Sequence, residues 1–237
     1  MLRDLEIIKD LTEVKDLRKR FNLNNFQTQA VTRLFKRNLK SLSTVKFVRI
    51  NIVLTTHKNN CGKYEIFGNQ IDVYKHCEFE KLYDERLEKY VRKEYMLMLI
   101  RDSLLANAGL LGIAPSDIND AYEECIKRKI LYEYFYKSKL YRSPSRKYHF
   151  GLLMIHDVDK YEIWEVLFNG KKEELARRKS YHDRNNYYYL ESAAWNKDKE
   201  VFCYKFDCVE KIFCSSVEDI LSGEQSEIFV NRDKYFK

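Results

Sequence analysis

Residues 147–182, "KYHFGLLMIHDVDKYEIWEVLFNGKKEELARRKSYH", repeat with a period of two, and two turn signals, "DVDK" (157–160) and "NGK" (169–171), cut them into candidate strands at 147–156, 161–168 and 174–182. Working outward, the same rhythm continues in runs at 131–141, 187–195 and 200–206, set off by "SPSR" (143–146), "DRNN" (183–186) and "NKDK" (196–199). A turn signal every 8 to 13 residues predicts an antiparallel β meander. A short helix over 216–221, stopped by Gly223, closes the pattern, with Ser215 and Glu218 at capping-box spacing.

Upstream the period is helical. Residues 2–20 and 26–42 read as helices, the second opened by Asn24 with Gln27 three positions on. Strands are predicted at 44–56 and 63–76, joined as a hairpin through "HKNNCG" (57–62). A long helix over 78–108 places Phe79, Leu82, Tyr83, Leu87, Tyr90 and Val91 on one stripe and is expected to lie across a sheet. Pro115 and Ser116 start another helix, with Ile118, Ala121, Tyr122, Cys125 and Ile126 as its buried stripe. The expected fold class is therefore α+β: an antiparallel β meander packed on a long central helix, with an N-terminal helical extension over 1–43. Residues 44–237 form a single α+β domain in this reading, with a candidate sub-boundary near 115.

Composition narrows the function. At 237 residues with 45% apolar and 14% aromatic residues, the chain has material for a packed core. Six cysteines contain no C-x-x-C pair, which argues against a zinc ribbon or a thioredoxin-type motif. "MLRDLEIIKD" carries acids from Asp4 onward, unlike a secretory leader, so reduced thiols and a cytoplasmic location are expected. The apolar run 95–114 is broken by Arg101, Asp102 and Asn107, so it reads as a buried helix and not as a transmembrane segment.

Charge gives the strongest functional signal. No acid occurs between Asp16 and Glu65, and residues 17–64 hold eleven cations: Arg18, Lys19, Arg20, Arg33, Lys36, Arg37, Lys40, Lys46, Arg49, Lys58 and Lys63. At 100° per residue, Arg33, Lys36, Arg37 and Lys40 share one side of the 31–42 helix, opposite Val31, Leu34, Phe35, Leu39 and Leu42. Such a face either pairs with acids of the same molecule or contacts phosphates, with Arg18, Lys19 and Arg20 flanking it. An acidic protein or an anionic membrane surface is the third partner class.

A second constellation lies at the meander's turns. His156, Asp157 and Asp159 are separated from His182 and Asp183 by a single intervening turn, and alternate turns of a meander lie at the same end of the sheet. Two imidazoles and three carboxylates there would have the ligand chemistry of a divalent metal site, as a metal-dependent nuclease requires. Aspartate also favours turns for backbone reasons alone. The triplet Tyr187–Tyr189 alternates faces on a strand and fits cross-strand packing, or a two-ring surface for stacked bases.

No Gly-rich phosphate loop, G-x-S-x-G or H-E-x-x-H is present, and no cofactor motif either. The resulting expectation is a non-catalytic binding protein that engages nucleic acid (RNA or DNA) through its basic N-terminal region. The alternative is a toxin-neutralising, immunity-type protein that binds an acidic protein partner, and a metal-dependent nuclease comes third.

Overall fold

The computed structural model describes residues 1–10, 26–40, 42–84, 86–183, 190–196, 201–206, 212–223 and 227–229, with 26–27, 181–183, 190, 206 and 227–229 described as backbone only. The fold is mixed α+β with several sheets, and its contacts divide it into two compact units, Met1–Tyr132 and Glu133–Lys237. The division falls at neither 43 nor 115.

The first unit is built on a four-stranded sheet of order β1-β2-β4-β3, comprising β1 (Asp4–Lys9), β2 (Arg49–Thr55), β3 (Tyr64–Phe67) and β4 (Gln70–His76). Residues 50–55 of β2 are buried throughout, as expected of an inner parallel strand covered on both faces. β1 and β4 flank β2 and run parallel to it, and β3 pairs antiparallel with β4. Two expectations are corrected here. Residues 4–9 are a strand, not helix: Leu5, Ile7 and Lys9 alternate inward, and a short apolar run of this kind carries both periods until a partner decides between them. Residues 4–9 thus belong to the sheet. The hairpin, moreover, lies inside 63–76 and not at 57–62, because Gly68 (φ +60°) takes the positive-φ position of a two-residue turn after Phe67.

Helix α1 (Phe26–Asn38) packs on β1. The predicted helix 78–108 is divided into α2 (Phe79–Tyr83), α3 (Lys89–Ala106) and α4 (Ala108–Leu111). Arg86 explains part of the first break, since its guanidinium and backbone N–H both turn back to Asp84 and hold that carboxyl down to about 2. Asn107 caps α3, its amide donating to the Ser103 carbonyl. α5 (Pro115–Lys127) begins at the predicted proline and packs on α1 and α3. No helix among the described residues is long and apolar enough to cross a membrane.

The second unit contains two sheets where one meander is predicted. The first has the order β5-β7-β8-β9, with β6 also on β7: β5 (Tyr132–Phe135), β6 (Tyr141–Arg142), β7 (Tyr148–His156), β8 (Tyr161–Asn169) and β9 (Glu174–Asp183). The second runs β10 (Leu190–Asn196), β11 (Val201–Phe206), β12 (Ile212–Ser215) and β13 (Glu227–Phe229), all antiparallel. The sheets face each other across Phe150 and Phe202, whose rings stack at 3.9 Å. Gly151 is required by packing on the opposite face of β7, because a Cβ there would stand 2.8 Å from both Leu140 and the Phe135 ring.

Helix α6 (Val217–Ser222) carries its capping box one residue later than predicted. Ser216 and Asp219 exchange the reciprocal bonds at 3.1 and 2.7 Å, and Gly223 ends the helix with φ +77°. Cys203 and Cys214 stand opposite each other on β11 and β12 and are joined as a disulfide, so the expectation of reduced thiols fails at this pair. Cys77 and Cys125 are buried thiols, and Cys61 is exposed.

Glu162 on β8 makes this unit acid-sensitive. Burial by itself would raise its pKa, but bonds from Lys179 (2.8 Å), Trp164 (3.0 Å) and Lys160 (3.1 Å) prevail and bring it down to about 2. A folded-state value below the unfolded one contributes stability above the usual glutamate range, and that contribution disappears as pH falls toward 2. We expect Glu162→Gln to cost about 1–3 kcal/mol at pH 7, allowing for solvent around the two lysines, and much less near pH 2.5. Urea titrations of both proteins at the two pH values measure this; a pH-independent gap would refute it.

Candidate nucleic-acid interface

α1 divides its surface as the periodicity predicts. Ala30, Val31, Leu34, Phe35 and, just past the helix, Leu39 are each at most 3% exposed, and this stripe fastens α1 to β1, α3 and α5. Lys36 and Arg37 lie in the last turn, where the helix dipole favours cations. Arg33 and Lys36 are half-buried at the border of the outer face; Arg37 and Lys40 are exposed on it.

Lys36 and Lys40 have partners within the unit. Lys36 Nζ donates to the Arg3 carbonyl oxygen at 2.5 Å, and Lys40 Nζ donates to Asp120 Oδ2 at 2.8 Å. The second bond raises the Lys40 ammonium pKa and lowers that of the Asp120 carboxyl. Both ends of that pair are more than half exposed, so water screens it and it contributes little to stability. A groove of about 440 Å³ lies beside it, lined by Arg37, Asn38, Lys40 and Lys127 and by the acids Asp120, Glu123 and Glu124. The basic face therefore adjoins an acidic strip of α5, a juxtaposition of residues 80 apart in the chain.

The remaining cations of the acid-free segment are dispersed. Arg49 pairs with Asp4 at 3.1 Å, Lys46 reaches the Gly109 carbonyl at 3.4 Å, and Lys63 donates to Asn60 at 3.0 Å. Arg18, Lys19 and Arg20 lie outside the described residues, as does the Tyr187–Tyr189 triplet.

The His-Asp turns lie at one end of the first sheet of the second unit, since the register aligns His156, Tyr161 and Asp183 across β7, β8 and β9. His156 is fully buried, with its ring edge-on to Tyr161 at 5.8 Å. Asp157 is buried and accepts the Val158 N–H at 2.8 Å, a turn-stabilising bond. Asp159, in the same turn, is exposed. Side chains of His182 and Asp183 lie outside the described ones, and the described residues contain no group of three metal-ligating side chains.

Comparison with protein-family models, with curated proteins and with solved structures returned no match.

Proposed function

We propose that this chain is a non-catalytic binding protein that engages nucleic acid through its basic N-terminal region. The observation that carries the reading is the partition of α1: a dry stripe turned to the core and a cationic face turned away from it, inside a stretch of 48 residues, 17–64, without an acid. The pairing of Lys40 with Asp120 does not oppose this, because an exposed ion pair worth up to about 1 kcal/mol exchanges readily for a phosphate.

The test replaces Arg33, Lys36, Arg37 and Lys40 with Gln. Their expected effect on stability is at most about 1 kcal/mol each, whereas each lost phosphate contact lowers the salt slope of duplex-DNA binding by about 0.9. Urea unfolding reads the first, and filter binding of duplex and single-stranded probes from 50 to 200 mM salt reads the second. Wild-type protein that binds neither probe at low salt would refute the proposal, and so would a variant that binds as well as wild type.

A second reading, an immunity-type protein that binds another protein, is favoured by one feature. β3 is an edge strand, and its Tyr64 (51% exposed), Ile66 (49%) and Phe67 (57%) stand in solvent. Recovery of one stoichiometric protein and no nuclease-sensitive material from the native host would select it.

A further inference from the structure

The geometry points to a single-strand nucleic-acid site on the second unit, in the groove between the β6 edge of one sheet and the β10 edge of the other. This inference rests on the nucleic-acid reading and gives it a substrate class and a second surface. The groove measures about 490 Å³ and is lined by Lys139, Tyr141, Arg142, Pro144, Ala193, Ala194 and Trp195. Two cations, two aromatic rings and, among the described residues, no carboxylate form its walls. That is the combination a strand requires: charge along the sugar-phosphate path and a ring for a base to stack on.

The aromatic wall is built into the core. Trp195 donates its indole N–H to the Tyr141 carbonyl at 2.9 Å and meets Phe150 and Phe202 edgewise at 6.1 and 5.5 Å, so its ring plane is fixed before any ligand arrives. Tyr141 leans on Phe202 at 5.1 Å, and Lys139 Nζ stands 4.8 Å from the Tyr141 ring centre. Ala193 and Ala194, next to Trp195 on β10, have side chains too short to fill the space.

Lys139 and Arg142 at the groove close no ion pair with a described residue. Residues 134–156 contain no acid and five cations, Lys137, Lys139, Arg142, Arg146 and Lys147. All five are exposed, and none closes an ion pair with a described residue. These side chains stand in solvent, in contrast to Lys40 beside α1, where α5 supplies Asp120. A peptide strand laid along β10 would leave these cations unanswered, whereas phosphates answer them.

The test titrates the full-length protein with fluorescein-labelled dT12 between 50 and 200 mM salt, beside the double variant Lys139→Gln/Arg142→Gln. Both side chains are exposed and outside the core, so the variant keeps the wild-type melting temperature. Binding should weaken on the order of tenfold or more at 50 mM salt, with the salt slope reduced by about 1.4, or 0.7 per cation for a single strand. In a Trp164→Phe background Trp195 is the remaining tryptophan, and dT12 should quench its emission. Unchanged affinity in the double variant, no quenching, or mononucleotide dTMP quenching at the same concentrations as dT12 would each overturn the strand site. If the double variant binds like wild type while the four-Gln α1 variant does not, this groove is excluded and the nucleic-acid reading stands. If wild-type protein binds no probe, both fall.

Discussion

Replacing Arg178 with Met will lower the stability of the protein by about 3–5 kcal/mol, the cost of breaking a buried ion pair from one side. Glu165 on β8 is fully buried and Arg178 on β9 nearly so, both turned toward the facing sheet. Arg178 Nε donates to Glu165 Oε2 at 2.6 Å, one terminal nitrogen donates to Ser215 Oγ at 2.6 Å, and the other to the Asp219 carbonyl at 3.1 Å. Glu165 Oε1 accepts from Tyr204 OH at 2.7 Å and from Ser215 Oγ at 2.8 Å, and Ser180 joins the network through Tyr204. With the guanidinium gone, a carboxylate remains in the dry space between two sheets. Adding Glu165→Gln to Arg178→Met should recover roughly half of the loss, because a neutral amide keeps an acceptor for Tyr204 and Ser215 without a charge. Urea unfolding of wild type, both single variants and the double variant measures the coupling. A loss below about 1 kcal/mol for Arg178→Met, or strictly additive losses, would show that the network does not hold the sheets together.

Leu34→Ala is the second large effect, with an expected loss of about 2–5 kcal/mol. Leu34 is 1% exposed and lies at the middle of the stripe that fastens α1 to β1, with Val31 and Phe35 buried beside it. The removed methyl groups lose their transfer free energy and leave a cavity that neighbours on several elements would have to shift to fill. The informative comparison is between the two sides of this segment: Arg33, Lys36, Arg37 and Lys40 changed together should leave most of the stability in place, whereas one buried leucine should not. If Leu34→Ala unfolds at the wild-type urea midpoint, α1 is not fastened by this stripe, and the division of its surface loses its meaning for binding.

How much of the candidate site can be read from the sequence differs between its two halves. The α1 face is legible because it is a property of one helix, and 100° per residue places Arg33, Lys36 and Arg37 opposite Leu34 without any knowledge of neighbours, whereas Lys40, counted in the predicted helix, lies past its end at Asn38. The acids of α5 beside it are not legible, since Asp120 meets Lys40 only through packing of helices 80 residues apart. The groove on the second unit is partly legible: the acid-free run 134–156 is visible in the chain, but its convergence with Trp195 depends on how two sheets face each other. The His-Asp turns illustrate the converse. Register places them at one end of a sheet as the spacing predicts, while burial of His156 and the turn bond of Asp157 are tertiary facts.

By itself the sequence determined the elements whose signals are local. Alternation with Asp and Asn-Gly turns defines β7, β8 and β9 nearly to the residue, and Pro115 sets the start of α5. Serine spacing and Gly223 mark the last helix within one position. Only the tertiary structure decided whatever needs a distant partner. Leu5 and Ile7 suit a helix or a strand until β2, some forty residues on, supplies the backbone hydrogen bonds that make them a parallel strand. The hairpin moved to Gly68 because β2 and β4 became parallel neighbours instead of hairpin arms. The division of the predicted meander into two sheets is likewise tertiary: Glu165, one of two buried carboxylates on β8, is satisfied where Arg178, Tyr204 and Ser215 converge on it from β9 and the facing sheet.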